Sequence, residues 1–84
     1  MKPETRTAKS TDADFAEKRL EAKRDIRPYE VVVGGMFTKY VGWFFTEIEA
    51  TEFRTEVLRK MSKNKITPVV NEIRHNWYDY NHTF

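Results

Sequence analysis

Residues 29–47, YEVVVGGMFTKYVGWFFTE, decide the fold of this chain. Valines and aromatic residues dominate both halves of the stretch, and such side chains suit a pleated, half-buried surface. The Gly-Gly pair between the halves offers the backbone freedom that a tight two-residue hairpin turn demands. The reading is a β-hairpin that runs directly into a helix. With Gly34 and Gly35 as the turn, Val33 falls opposite Met36, Val31 opposite Thr38 and Tyr29 opposite Tyr40, and Glu30 meets Lys39 in an opposite-charge pair. A competing register turns at Thr38 and Lys39 and sets Gly34 opposite Trp43, but Thr-Lys is poor chemistry for a primed turn. In the favoured register one sheet face carries Tyr29, Val31, Val33, Met36, Tyr40 and Phe44. The other carries Val32, Phe37, Val41, Trp43 and Phe45. Both faces are apolar, so both require cover.

Working outward, Thr46 and Glu49 have the Thr-x-x-Glu spacing of a helix capping box. Glu47, Glu49 and Glu52 then sit at the positive end of the helix dipole, and Arg59, Lys60, Lys63 and Lys65 crowd its negative end. Ala50, Phe53, Val57, Leu58 and Met61 form one apolar face, which predicts a helix over 47–62 with Asn64 taking the left-handed stop. Residues 65–74 fit a strand rich in β-branched residues, with Pro68 marking it as an edge. The 3-4-3-4 spacing of Val70, Ile73, Trp77, Tyr80 and Phe84 also suits a helix, but Asn71, Asn76, Asp79 and Asn81 are poor helix formers. Upstream, residues 12–26 combine helix formers with a sparse apolar stripe of Phe15, Ala16, Leu20, Ala22 and Ile26. Thr11 or Asp12 is the cap of that helix, and Pro28 ends it. Residues 1–11 hold no large apolar group after Met1 and read as a frayed tail.

The expected architecture is therefore a single α+β domain over 12–84 in the order α-β-β-α-β. A right-handed crossover through the second helix gives an antiparallel sheet of order 2-1-3, strands numbered along the chain. At 84 residues one domain is the limit. The absence of cysteine excludes disulfides, thiol nucleophiles and cysteine-ligated metals, and makes a reducing, cytoplasmic setting the default expectation. No apolar run approaches signal-peptide or membrane-span character, so no membrane partner is expected. With 15 Lys and Arg against 13 Asp and Glu, the net charge of +2 is too balanced for bulk electrostatics to attract a polyanion.

No nucleophile, base and polarising group recur in a pattern that specifies catalysis, and no cofactor motif is present. His75, Asp79 and His82 stand at i, i+4 and i+7. They would share a face only on a helix, so no metal site is assigned to them. The surplus of large apolar side chains points instead to a non-catalytic, self-associating protein-binding module. An adaptor, regulator or inhibitor fits, a size class that accessory proteins of viruses and phages share. Aromatic residues are enriched at interface centres, and the expected interface comprises Phe37, Val41, Trp43, Phe45, Trp77, Tyr78, Tyr80 and Phe84. The alternative is nucleic-acid binding, with Arg59, Lys60, Lys63 and Lys65 neutralising phosphates beside rings that stack on bases.

Overall fold

The computed structural model describes residues 5–79. Among them, a four-stranded antiparallel sheet of order β1-β3-β2-β4 is built from β1 (Arg6–Lys9), β2 (Tyr29–Gly34), β3 (Lys39–Phe44) and β4 (Val70–His75). Helix α1 (Phe15–Arg24) packs on one face and α2 (Glu47–Lys63) on the other. A 3-10 turn, Trp77–Asp79, follows β4. The α+β class and the expected 2-1-3 order are present as β3-β2-β4, and β1 extends that order by one edge strand.

The hairpin uses neither register expected from the sequence. Tyr29 lies opposite Phe44, Val31 opposite Gly42, and Gly34 opposite Lys39. Residues 35–38 form a four-residue loop, closed by the Gly35 N–H donating to the Thr38 carbonyl at 3.1 Å. Neither glycine has a positive φ, so the primed turn is absent. Gly34 is required for a different reason: a Cβ there would lie 2.4 Å from the Lys39 Cα and 2.5 Å from the Thr38 carbonyl oxygen. Both expected registers differ from the observed one by an even number of residues, and an even shift leaves every side chain on its own face. Val31, Val33 and Phe44 accordingly face α2, where they pack with Ala50, Val57 and Met61. Val32, Val41 and Trp43 face α1 and pack with Ala8, Ala22 and Trp77. Met36 and Phe37, assigned to the strands by the two-residue turn, instead sit on the loop.

At Gly42, in the middle of β3, the ring of Phe44 folds back over the backbone. A Cβ there would meet that ring at 2.5 Å and Phe53 at 3.2 Å.

Helix α2 starts as expected. The Glu49 N–H donates to the Thr46 hydroxyl at 3.2 Å, and that hydroxyl donates to the Glu49 carboxylate at 2.9 Å. Its stop is one residue later than expected, because Asn64 stays at φ −92° and Lys65 takes φ 58°. The Ile66 N–H then reaches the Met61 carbonyl at 2.8 Å and the Lys65 N–H reaches Ser62 at 3.0 Å, the paired bonds of a Schellman stop.

Helix α1 is shorter than the expected 12–26. The Asp12 carboxylate accepts from the Lys9 N–H at 2.8 Å, so it stabilises the turn after β1 rather than capping the helix. Ile26 ends α1 in the left-handed region at φ 55°. Its N–H donates to Lys23 at 3.0 Å, and that of Arg27 donates to Ala22 at 3.3 Å.

The predicted tail is corrected over Arg6–Lys9, which pairs with β3 from Arg6 opposite Trp43 to Lys9 opposite Tyr40. Apolar content could not reveal this strand, since only Ala8 enters the core. Ion pairs hold it instead: Arg6 Nη1 lies 2.6 Å from the Glu21 carboxylate and Arg6 Nε 2.5 Å from that of Asp25. Strand β4 is an edge, as Pro68 implied, but it starts at Val70 rather than residue 65. Asn76, at φ 54°, donates its N–H to the Pro28 carbonyl and turns Trp77 back onto the sheet.

The two hairpin glycines should behave oppositely on substitution. Gly34→Ala forces a Cβ into backbone that cannot retreat and is expected to destabilise by roughly 1–3 kcal/mol. Gly35→Ala meets only the Ile66 methyl, at 3.7 Å, and should be neutral or stabilising by up to about 1 kcal/mol in urea unfolding.

Candidate functional site

Two features concentrate chemistry in this fold: a buried charge cluster under α1 and an open groove at the far end of α2. The cluster centres on Glu30, which is 1% exposed. β2 points its carboxylate toward α1, where Trp43 Nε1 donates to it at 2.9 Å and Arg74 Nη1 at 3.3 Å. Arg19 Nε of α1 lies 3.3 Å from the same carboxylate. Burial pushes the Arg19 guanidinium below its ordinary value, Glu30 pulls it back up, and Arg74 adds to the lowering. The Arg19 guanidinium also lies 5.4 Å from the centroid of the Trp77 ring.

Arg27, also buried, forms the second half of the cluster. Its Nη1 donates to the Trp43 carbonyl at 3.0 Å and its Nε to Asp25 at 3.1 Å, and its guanidinium stands 4.5 Å from the centre of the Phe45 ring. The Arg27 carbonyl accepts from Trp77 Nε1 at 2.8 Å. Hydrogen bonds from Arg6, with a smaller one from Arg27, hold the Asp25 carboxyl below the usual carboxylate range against the opposing effect of burial. Glu30 and Arg27 are buried at the centre of this network, while Arg6, Asp25 and Arg74 at its edge remain partly exposed, and the pairs join β1, β2, β3, β4 and the end of α1.

The groove has an open volume of about 840 Å³. Phe53, Val57 and Met61 of α2 supply apolar groups from one side, and the 35–38 loop overhangs with Met36 and Phe37. These two side chains are 74% and 87% exposed, and Ile66 beyond the α2 stop is 48% exposed. Lys9 at the end of β1, and Lys60 and Lys63 in the last turn of α2, supply the charge, and among the described residues no acidic side chain lines the groove. Lys9 Nζ stands 5.8 Å from the centre of the Tyr40 ring, and Lys60 pairs only loosely with Glu56, at 3.9 Å. Among the described residues, the arrangement presents apolar surface next to the ammonium groups of Lys9, Lys60 and Lys63.

The residues expected at an interface are scattered by the fold. Val41, Trp43 and Trp77 are buried under α1, so the chain itself covers most of the face that the sequence left open. Tyr78 is half-buried against that core and donates its hydroxyl to Asn76 at 3.3 Å. Phe45 is partly exposed beneath Arg27, and only Phe37 reaches the groove. Tyr80 and Phe84 lie outside the described residues. Of the basic set, Lys60 and Lys63 line the groove, while Arg59 and Lys65 are exposed and not part of its lining.

Lys9, Met36 and Ile66 were not legible as site residues, having been assigned to a tail and to strands. The hairpin loop length was the missing signal. His75 closes β4 and stacks on Tyr29 at 4.8 Å, so the helical spacing that would join it to Asp79 and His82 does not form; His82 lies outside the described residues. Among the described residues no group of three or more His, Asp and Glu side chains is placed to hold a metal, and no helix is long and apolar enough to cross a membrane.

Removing the Glu30 carboxylate takes the acceptor from the buried Trp43 indole N–H and the counter-charge from Arg19, while Arg74 keeps its 2.8 Å pair with Glu72. Glu30→Ala is expected to destabilise by about 2–4 kcal/mol, measured by chemical denaturation, chiefly through the unpaired indole and the loss of a charge partner for Arg19. For Asp25, the folded-state value lies below the unfolded one of about 3.9, so its contribution is full above that pH and is lost as pH falls through the folded value. Asp25→Asn should therefore lower the thermal midpoint near neutral pH, with the gap to wild type closing progressively below about pH 4.

Comparison with known proteins finds no matching family model, no matching curated protein and no matching solved structure, so the groove and its chemistry are what a functional reading has to work from.

Proposed function

We propose that this protein is a non-catalytic binding module that docks a protein segment in the groove between the 35–38 loop and the Phe53, Val57 and Met61 face of α2. The observation that carries the reading is the overhang of Met36 and Phe37, the two most exposed large apolar side chains among the described residues, above one lysine-edged groove. Contiguous exposed apolar surface rimmed by polar groups is the physical signature of an interaction site. Methionine is suited to such a surface, since its flexible thioether adapts to irregular partners.

Nucleic-acid binding is the second reading, favoured by Lys9, Lys60 and Lys63 beside the rings of Phe37 and Tyr40. Protein docking ranks above it because Met36, Met61 and Ile66 offer no π-face for a base to stack on, and Lys9 already lies near the Tyr40 ring.

Met36→Ser with Phe37→Ser should leave unfolding stability within about 0.5 kcal/mol of wild type, because exposed side chains support little of the fold. A photoreactive benzophenone side chain at position 37 should crosslink to protein when irradiated in the native cells. Fluorescence anisotropy with a single-stranded oligonucleotide at low salt should show no binding. Adducts that nuclease rather than protease removes, or oligonucleotide affinity that falls steeply with salt, would sink the protein-docking reading in favour of nucleic acid.

A further inference from the structure

Helix α2 carries complementary surfaces at its two ends. Its first turn holds Glu47 and Glu49 on either side of Ile48, with Glu52 one turn further on. Ile48 is 72% exposed, and among the described residues no cation pairs with Glu47, Glu49 or Glu52. An apolar anchor framed by carboxylates thus stands at one end of the helix. The groove at the other end reverses this chemistry, with apolar walls framed by Lys9, Lys60 and Lys63. At about 1.5 Å per residue, Ile48 lies roughly 8 Å from the groove wall at Phe53 and roughly 20 Å from that at Met61, all on one continuous helix that cannot fold back on itself. One copy therefore cannot bring its own acidic turn to its own groove.

We propose that the groove receives the first turn of α2 from a second copy of this chain, Ile48 seating against Phe37 and Met36 while Glu47 and Glu52 approach Lys60 and Lys63. This inference rests on the reading of the groove as a protein-docking site and names its occupant. The two surfaces in contact are different patches of the same molecule, so the interface is heterologous. Each added copy exposes a fresh turn at one end and a fresh groove at the other, and assembly proceeds head to tail into a ring or an open chain. Lysine–glutamate attraction sets the register and makes assembly weaken with added salt.

Sedimentation velocity of the full chain at increasing concentration tests this. Wild type should pass from monomer to larger species as concentration rises toward about 1 mM at low salt. Two variants interrupt one surface each: Phe37→Ser with Lys63→Gln in the groove, and Ile48→Ser with Glu52→Gln in the turn. Every position is exposed, and circular dichroism with thermal melting confirms that each variant is folded. Each alone should associate at least about tenfold more weakly than wild type. Mixed in equal amounts they should form a dimer and stop there, because the mixture contains one intact groove and one intact turn per pair.

A wild type that stays monomeric throughout the range overturns the inference, as does a mixture of folded variants that forms no dimer. If the chain is monomeric yet position 37 still crosslinks to a different protein, the occupant is wrong and the docking function stands. Should the groove variant instead lose oligonucleotide binding, both readings fall. Where a double variant melts early, Phe37→Ser and Ile48→Ser singly repeat the mixing experiment.

Discussion

Glu30 is the constraint on which the α1 side of this protein depends. A carboxylate excluded from water is costly unless donors replace its hydration, and here β3 supplies an indole N–H, β4 a guanidinium and α1 a second guanidinium. Each donor comes from a different element, so satisfying one charge brings four elements together. Arg27 repeats the device on a smaller scale by linking the end of α1 to the β3 backbone, while its own carbonyl receives Trp77. The opposite face has no such requirement. There Val31, Val33 and Phe44 meet Ala50, Val57 and Met61, and among the described residues apolar packing joins α2 to the sheet.

This division of labour explains where surface remains for function. The polar cluster closes the α1 face so completely that Trp43 and Trp77, the largest side chains in the chain, are withdrawn into the interior. On the α2 side the apolar packing opens toward the loop and the end of the helix, where Met36, Phe37 and Ile66 have no interior to enter. The same last helical turn that stabilises the dipole with Lys60 and Lys63 also charges the groove. One set of lysines thus serves both helix stability and the recognition proposed for this surface.

The hairpin shows how a register can be missed while its consequences survive. Pleating has a period of two, so the even slip between the expected and observed pairings left Val31 and Val33 facing one helix and Val32 and Trp43 facing the other. What the slip did alter was the loop, and with it the site: a four-residue connection lifts Met36 and Phe37 out of the sheet. The glycine pair encouraged the shorter turn because it signals freedom in φ. Gly34 is used instead for the closeness of its backbone to Lys39, a demand that no local pattern reveals.

Local sequence by itself determined the elements whose signals lie within a few residues: the capping box and dipole-matched charges of α2, the apolar alternation of the hairpin, the edge character of β4 after Pro68, and the α+β class that follows from them. The tertiary structure alone decided which aromatics are core and which are surface. It also recruited Arg6–Lys9 as a strand and made Glu30 an interior charge. These outcomes depend on partners distant along the chain: Arg6 needs Glu21 and Asp25, Glu30 needs Arg19, Trp43 and Arg74, and Trp77 needs the carbonyl of Arg27. A charge near the chain's N-terminus or within a valine run carries no mark of the group that will neutralise it. Only the folded chain brings the two within reach.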